Sequence, residues 1–161
     1  MPLTVPEYIA RQTERMADSL AHFIATTPDD RLVWHPSIEG GAQTRSILEQ
    51  VSECVVVNRT MAALLRGGTV PAANPDTPPL RFANGQDAQE QLVASARELA
   101  AAIRGMSDAD MTRTYEHPRG TMLGENVIMM CLRNMAYHAG QANLIQILYG
   151  DTEFHVPPTW R

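Results

Sequence analysis

The chain has 161 residues, of which 44% are hydrophobic and 19% are charged. This length can bury a hydrophobic core without disulfide or metal crosslinks, so we expect a single domain over residues 1–161. The net charge of -5 and the lack of an arginine-rich patch with interleaved aromatic residues argue against nucleic acid as a partner. All thirteen basic residues are arginines, which excludes mechanisms that need a Schiff-base lysine or a P-loop lysine.

The cysteines and the apolar segments indicate the cellular compartment. Cys54 and Cys131 lie in apolar helical stretches rather than in a C-x-x-C pair, which predicts buried, reduced thiols. The N-terminal residues lack the apolar core of a signal peptide, and no window approaches about 18 uninterrupted apolar residues. We therefore expect a cytoplasmic protein that does not enter a membrane.

Two helices are predicted in the first half of the chain. The first begins after Thr4, whose hydroxyl can cap it, and ends near Ala25. Residues 31–41 contain a tryptophan, a proline and a Gly-Gly pair, which predict an extended crossing segment and a turn. The second helix is predicted from about Thr44, as its capping residue, to Leu65.

Two more helices are predicted in the second half. Residues 69–84 contain four prolines and form a long surface connection, and a third helix follows over about 87–103. A strand-like piece is predicted at 112–115, ahead of a last helix over about 121–149. The tail, 151–161, contains two adjacent prolines and is predicted not to be helical there.

The pattern as a whole predicts an all-α fold, a four-helix bundle with long connections between its helices. Binding sites in such bundles are built from inward side chains of facing helices. Function should therefore be sought between the second and the last helix. Four amphipathic helices also leave apolar surface exposed, from which we expect a homodimer.

A cluster of polar residues on the last helix is the strongest candidate site. Asn134, His138 and Gln141 share one face, and burying them without partners costs about 1 to 3 kcal/mol per group. A divalent metal could satisfy them, because residues four apart on a helix can bind one ion. On the second helix, Glu53 is the natural anionic ligand and Cys54 is the alternative soft ligand.

Each of these residues also has a purely structural interpretation, which the residues alone leave open. From the residues alone, His138 is interpreted as a hydrogen-bonded core histidine before a ligand, and Glu53 can also be an exposed acid paired with a nearby arginine. Asn134 is interpreted as a structural hydrogen bonder. Cys54 and Cys131 are predicted to be core residues, because nothing in the sequence indicates a cationic environment that would activate a thiolate.

Two segments resemble the DinB-like (DinB/YfiT) family of metalloenzymes. They are RSILEQVSE, at the start of the second helix, and NMAYHAGQ, on the last helix, and the order of four helices agrees with them. The family's first motif is a serine and an apolar residue followed later by a ligand histidine, which places that ligand position at Glu53. Its second motif, two histidines before Gly-Gln, places the other ligand positions at Asn134 and His138.

The resemblance implies a bundle with a divalent metal, zinc or nickel, at Glu53, Asn134 and His138, although only His138 keeps the family's histidine. It also implies a small-molecule substrate and thiol-dependent transferase or hydrolase-like chemistry, since characterised relatives include thiol-dependent transferases and a mycothiol-dependent maleylpyruvate isomerase. The alternative is a non-catalytic small-molecule-binding or stress-related bundle protein that has lost the metal site.

Overall fold

The structure is a computed structural model that describes residues 3–37, 39–41, 44–72, 78–118 and 120–160. Helices dominate it, which confirms the predicted all-α class. In chain order the elements are α1 (Val5–Ala25), α2 (Asp29–Leu32), α3 (Ile47–Leu65), α4 (Gly85–Arg104), α5 (Asp108–Thr112), β1 (Thr114–Tyr115), β2 (Met122–Leu123), α6 (Gly124–Leu148) and a 3-10 turn (Pro158–Trp160).

The four long helices, α1, α3, α4 and α6, form the bundle. α1 packs against α4 and α6, and α3 packs against the same two helices from the other side. Among these neighbouring pairs, α3 and α6 pack least closely. The core lies between the four helices in two clusters, which include Leu20, Ile24, Val51, Leu92 and Met135 in one and Ile9, Met61, Leu99, Ile103 and Ile128 in the other.

The start of α3 differs from the sequence prediction. Thr44 was predicted to cap this helix, but its hydroxyl donates a hydrogen bond to the carbonyl oxygen of Pro36, at 2.6 Å. The cap is instead Ser46, whose Oγ accepts from the backbone N–H of Glu49 at 3.3 Å. The Glu49 carboxylate accepts in return from the Ser46 N–H at 2.8 Å, which completes a capping box.

The start of α6 is also later than predicted. The prediction began this helix near Thr121, whereas Met122–Leu123 pairs with Thr114–Tyr115 as an antiparallel strand and α6 begins at Gly124. A Cβ atom on Gly124 would lie 2.0 Å from the carbonyl oxygen of Asp110. Only glycine therefore fits where the first turn of α6 meets α5.

Three further segments differ from the sequence prediction. The segment 31–41, predicted to be extended, begins inside α2, whose first turn contains two aspartates that favour a helix start. The strand predicted at 112–115 begins later, because Thr112 ends α5. The tail, predicted not to be helical, contains a 3-10 turn from Pro158, a position at which proline's missing N–H costs no hydrogen bond.

The long connection over 69–84 is described only in part. Residues 69–72 and 78–84 contain no helix or strand, as the prolines predicted, and 73–77 lie outside the described residues. The third predicted helix is observed as α4, within two residues of the predicted bounds. Its cap is Asn84, whose side chain accepts from the N–H of Asp87 at 2.9 Å.

The outer faces of the long helices differ in polarity. α1 and α4 are strongly amphipathic and are joined on the outside by ion pairs such as Arg104 with Glu14. α6 instead exposes large apolar side chains along much of its length, among them Tyr137, Leu144 and Leu148. Even so, none of the helices in the described ranges is both long enough and apolar enough to span a bilayer.

Candidate functional site

His138 lies on α6 with its imidazole buried against α3, and only 4% of the residue is exposed. Its Nδ1 is 2.7 Å from Oε1 of Gln141 and 3.1 Å from Oε1 of Gln50. The Gln50 amide is held in this orientation because its Nε2 donates to the backbone carbonyl of Arg45, at 3.2 Å. Both neighbours of Nδ1 are thus acceptors, so Nδ1 carries the hydrogen and Nε2 of the neutral ring presents a lone pair.

The carboxylate of Glu53, on α3, faces that lone pair. Its Oε1 is 3.6 Å from Nε2 of His138, beyond the usual range of about 2.7 to 3.2 Å for an N–H···O bond. Elsewhere in the chain, His35 contacts Glu49 at 2.8 Å, a normal hydrogen-bond distance. Two acceptor atoms therefore face each other across a gap, and a proton on Nε2 or a cation between them is needed to make the contact favourable.

Arg45 binds the other oxygen of the same carboxylate. Its Nη1 pairs with Oε2 of Glu53, so that Glu53 lies between a guanidinium and an imidazole. Partial burial opposes ionisation of Glu53, but the hydrogen bond and charge of Arg45 hold the pKa of the carboxyl below its ordinary value. The arginine partner that the sequence left open is thus Arg45, which precedes the helix and could not be located from helical spacing.

Asn134 lies one turn before His138 on α6, beside the thiol of Cys54. Its Nδ2 donates to Sγ of Cys54 at 3.7 Å, and the asparagine itself is half-buried. Burial, and after it the charge of Glu53, raises the pKa of the Cys54 thiol far above its ordinary value. Burial likewise raises the pKa of Cys131 to about 12. Both cysteines are fully buried and free, as the sequence predicted.

Asn58 lies deeper in the bundle, one turn beyond Cys54 on α3. Its Nδ2 donates to Oγ of Ser95, at 3.2 Å, and to Sδ of Met135, at 3.5 Å. Its Oδ1 is buried and has no hydrogen-bond partner among the described residues. Polar side chains on α3 therefore extend from the site into the core, where the side-chain amide of Asn58 makes only part of its hydrogen bonds.

The donor atoms can be tested for their fit to a metal ion. Two ligands bound to one tetrahedral zinc at about 2.0 to 2.2 Å lie roughly 3.3 to 3.6 Å apart, which matches the 3.6 Å between Glu53 Oε1 and His138 Nε2. Asn134 would have to bind through Oδ1, since an amide nitrogen has no free lone pair. Within the described ranges no three His, Cys, Asp or Glu side chains are grouped around one ion position. The two strong donors fit a cation, and an amide or water must complete its coordination.

Of the three positions predicted for a metal, the structure brings Glu53 and His138 directly together and places Asn134 beside Cys54, next to them. Sequence reasoning did not identify the role of Gln50 or Gln141 in orienting the imidazole. Spacing already placed Gln141 on the face of His138, three residues away, whereas Gln50 lies on another helix and no spacing connects it to His138.

A four-helix bundle with a histidine-centred polar site between two of its helices defines the class of this protein. The sequence matches the DinB superfamily over residues 12–142, and the chain belongs to that superfamily. This match confirms the family recognised from the two sequence motifs, and its range includes the three positions predicted for a metal.

A solved structure supports the same fold. The chain is similar to the crystal structure of a DinB-like protein from Bacillus subtilis, with a TM-score of 0.64 and 13% sequence identity. The similarity covers 94% of this chain and 96% of the other. No curated protein matches the sequence. At this identity the likeness concerns the fold, and the chemistry of the site has to be argued from the residues of this chain.

Proposed function

We propose that this DinB-superfamily protein binds a divalent cation, zinc or nickel, between α3 and α6. The observation that carries the proposal is the gap between Glu53 Oε1 and His138 Nε2, two acceptor atoms 3.6 Å apart. A cation would turn an unfavourable contact between lone pairs into two coordination bonds. Asn134, through its carbonyl oxygen, is the third proposed ligand, and it is the weakest because it is neutral.

The surrounding residues have the properties expected of a shell that orients metal ligands. Gln50 and Gln141 accept from Nδ1 of His138, which aims the lone pair of Nε2 at Glu53. Arg45 binds the far oxygen of Glu53 and so limits the rotation of the carboxylate. These contacts support a preorganised pair of ligands.

The bound ion would act as a Lewis acid that activates a water or a thiol. The chain itself would supply one nitrogen of His138 and one carboxylate oxygen of Glu53, between α3 and α6. The lowered pKa of Glu53 keeps that carboxylate charged. We therefore propose a small-molecule substrate and either thiol-dependent transfer or hydrolysis, in the cytoplasm. The buried Cys54 thiol is not proposed as a nucleophile, because burial raises its pKa.

Arg45 is the observation that favours a second candidate. Its guanidinium already balances the charge of Glu53, and a proton on His138 Nε2 would satisfy the remaining contact without a metal. The site would then be a fixed polar recess in a non-catalytic bundle that binds a small molecule. The two candidates differ in whether purified protein takes up a metal.

Metal titration of protein purified without an affinity tag separates the candidates. Zinc and nickel should each bind at one equivalent per chain, measured by calorimetry. Glu53→Gln and His138→Gln should weaken binding at least about tenfold, since each removes a strong ligand. His155→Gln is the matched control, because it alters another histidine–carboxylate contact, with Asp151 in the C-terminal tail, outside α3 and its cap. Absence of binding by the wild-type chain would exclude the metal function.

Arg45→Gln provides a second, independent test of metal binding. Removing the guanidinium from Oε2 leaves the carboxylate free to neutralise a metal, so zinc should bind several-fold more tightly than to the wild type. If the site is instead a metal-free ion pair, neither protein takes up zinc and Arg45→Gln leaves an uncompensated carboxylate.

A further inference from the structure

Arg45 has more hydrogen-bond donors than its partner in the chain uses. A guanidinium can donate from each of its nitrogens, and Arg45 directs Nη1 at Oε2 of Glu53. Nε and Nη2 contact no acceptor among the residues that the structure describes. The side chain of Arg45 is 52% exposed, so these donors can be reached by a molecule from solution.

Arg104 shows what a guanidinium of this chain does when all its nitrogens are engaged. Its Nη1 and Nη2 bind the two oxygens of Glu14, and its Nε binds Glu7, at distances of 2.7 to 2.9 Å. One arginine thus holds two carboxylates at once. Arg45 holds one carboxylate, that of Glu53, and has donors left for a second.

The other acid in the first turn of α3, Glu49, is engaged elsewhere. Its carboxylate accepts from the backbone N–H of Ser46 at 2.8 Å and contacts Nε2 of His35 at the same distance. Within the described ranges, Glu53 is the one carboxylate that pairs with Arg45. A second carboxylate for this guanidinium would therefore come from solution.

We propose that Arg45 receives the carboxylate group of the small-molecule substrate. A planar guanidinium matches a carboxylate with parallel N–H···O bonds, and one already shared with Glu53 suits a single negative charge better than the nearly double charge of a phosphate. The inference rests on the proposed function, since it takes the Glu53–His138 pair as the place where a substrate binds. A divalent cation there would outweigh the charge of Glu53, so that cation and Arg45 together would attract an anion.

Tyr137 provides an apolar surface at the other side of the pair. Its ring packs edge-on against the imidazole of His138, with centroids 5.3 Å apart, and the residue is 64% exposed. Arg45, Glu53, His138 and Tyr137 therefore form a continuous row of contacts with a cationic end and an aromatic end. A molecule with its carboxylate on Arg45 would extend past the pair toward the tyrosine ring. The substrate class that fits this row is a small carboxylic acid with an apolar or aromatic body.

Arg45 would then act in opposite directions on the two ligands of the site. Its positive charge opposes a cation at Glu53 but attracts a carboxylate. Arg45→Gln should therefore bind zinc several-fold more tightly than the wild type and bind a carboxylic acid more weakly. A residue that only held Glu53 in place would not distinguish an acid from its neutral amide.

NMR titration of the full chain with benzoate and with benzamide, its uncharged counterpart, tests the inference with and without zinc. The zinc-loaded wild type should bind benzoate at least about tenfold more tightly than benzamide, because only the acid forms charge-assisted bonds. Arg45→Gln should remove most of that difference while zinc stays bound, and Arg45→Lys should restore only part of it, because lysine lacks the planar fork. Arg59→Gln, at an exposed arginine on another face of α3, is the matched control and should resemble the wild type.

Three results would overturn the inference. One is equal affinity of the wild type for benzoate and benzamide. Another is a preference for benzoate that Arg45→Gln leaves unchanged, because the carboxylate would then bind the cation or another residue. The third is tighter binding of phenyl phosphate than of benzoate. Zinc titration of the same samples keeps the two proposals distinguishable, since a wild type that takes up zinc without preferring benzoate contradicts only the carboxylate site. Benzoate binding through Arg45 without zinc uptake contradicts only the metal site.

Discussion

Two fully buried side-chain amides show how differently the same chemical group can contribute to this fold. Gln146 donates from Nε2 to the hydroxyls of Thr26 and Thr27, at 3.1 and 3.0 Å, and so joins α6 to the end of α1. Asn58 donates to Ser95 but leaves its Oδ1 without a partner among the described residues. An unpaired buried acceptor forfeits its hydration without compensation, whereas a paired amide recovers most of it.

The two amides should therefore respond in opposite directions to replacement by leucine. Gln146→Leu should lower the free energy of unfolding by about 1 to 2 kcal/mol, because it removes the hydrogen bonds to α1. Asn58→Leu should raise it by up to about 1 kcal/mol, because it replaces an incompletely paired amide with an apolar side chain of similar size. Urea unfolding of both variants and the wild type measures the difference. Equal losses of stability would mean that Asn58 Oδ1 has a partner in solution.

At the scale of the element, the first turn of α3 builds the site. Ser46 caps the helix, which leaves Arg45 just outside it, with a side chain that extends along the first turns to reach Glu53. The backbone carbonyl of Arg45 also orients Gln50, so that one residue controls both neighbours of the His138 imidazole on α3. A change in the position of the cap would displace the whole arrangement.

The capping residue can be checked directly. Ser46→Ala should lower the free energy of unfolding by about 1 kcal/mol, because the Glu49 N–H loses its acceptor and half of the capping box is gone. Thr44→Ala should cost less, since that hydroxyl holds only the carbonyl of Pro36. Thermal unfolding followed by circular dichroism compares the two. A larger loss of stability in Thr44→Ala than in Ser46→Ala would indicate that Thr44 caps the helix, as predicted from the sequence.

At the scale of the whole molecule, one arginine joins α1 to α4 across the outside of the bundle. The guanidinium of Arg104 binds both carboxylate oxygens of Glu14, at 2.9 and 2.7 Å, and one of Glu7, at 2.9 Å. The hydrogen bonds from Arg104 hold the pKa of Glu14 below its ordinary value of 4.5, although burial opposes this. Since the pKa is lower in the folded state, the network stabilises the fold above about pH 4.5, and this contribution is lost as the pH falls through the folded-state pKa.

Arg104→Gln should consequently show a stability defect that depends on pH. The free energy of unfolding should be lower than that of the wild type at neutral pH, and the difference should shrink as the pH falls below 4.5 and through the folded-state pKa of Glu14. Urea unfolding across this range measures it. Arg59→Gln, at an exposed arginine on α3, is the control for loss of a positive charge alone. A defect of constant size at all pH values would exclude the ion pairs as its cause.

Much of the fold was predictable, because each long helix has an apolar repeat and end signals within its own sequence. The predicted helix starts were wrong where two nearby residues could both cap the helix, or where another segment paired with the residues before it. Thr44 and Ser46 are both good caps, and only the packing of the preceding segment chooses between them. Met122–Leu123 continues the helical pattern of α6, yet it pairs with Thr114–Tyr115 as a strand. Sequence periodicity does not reveal such a pairing between separate segments.

The sequence by itself determined the family and the four long helices, because these depend on motifs and on local periodicity. That Glu53 and His138 share a site was only what the family resemblance implied. Only the tertiary structure decided which groups contact each nitrogen of the His138 ring and that Arg45 pairs with Glu53. Those properties arise from atoms brought within a few ångströms by the packing of α3 against α6. The direction of a hydrogen bond and the burial of a charge exist only once that packing has formed.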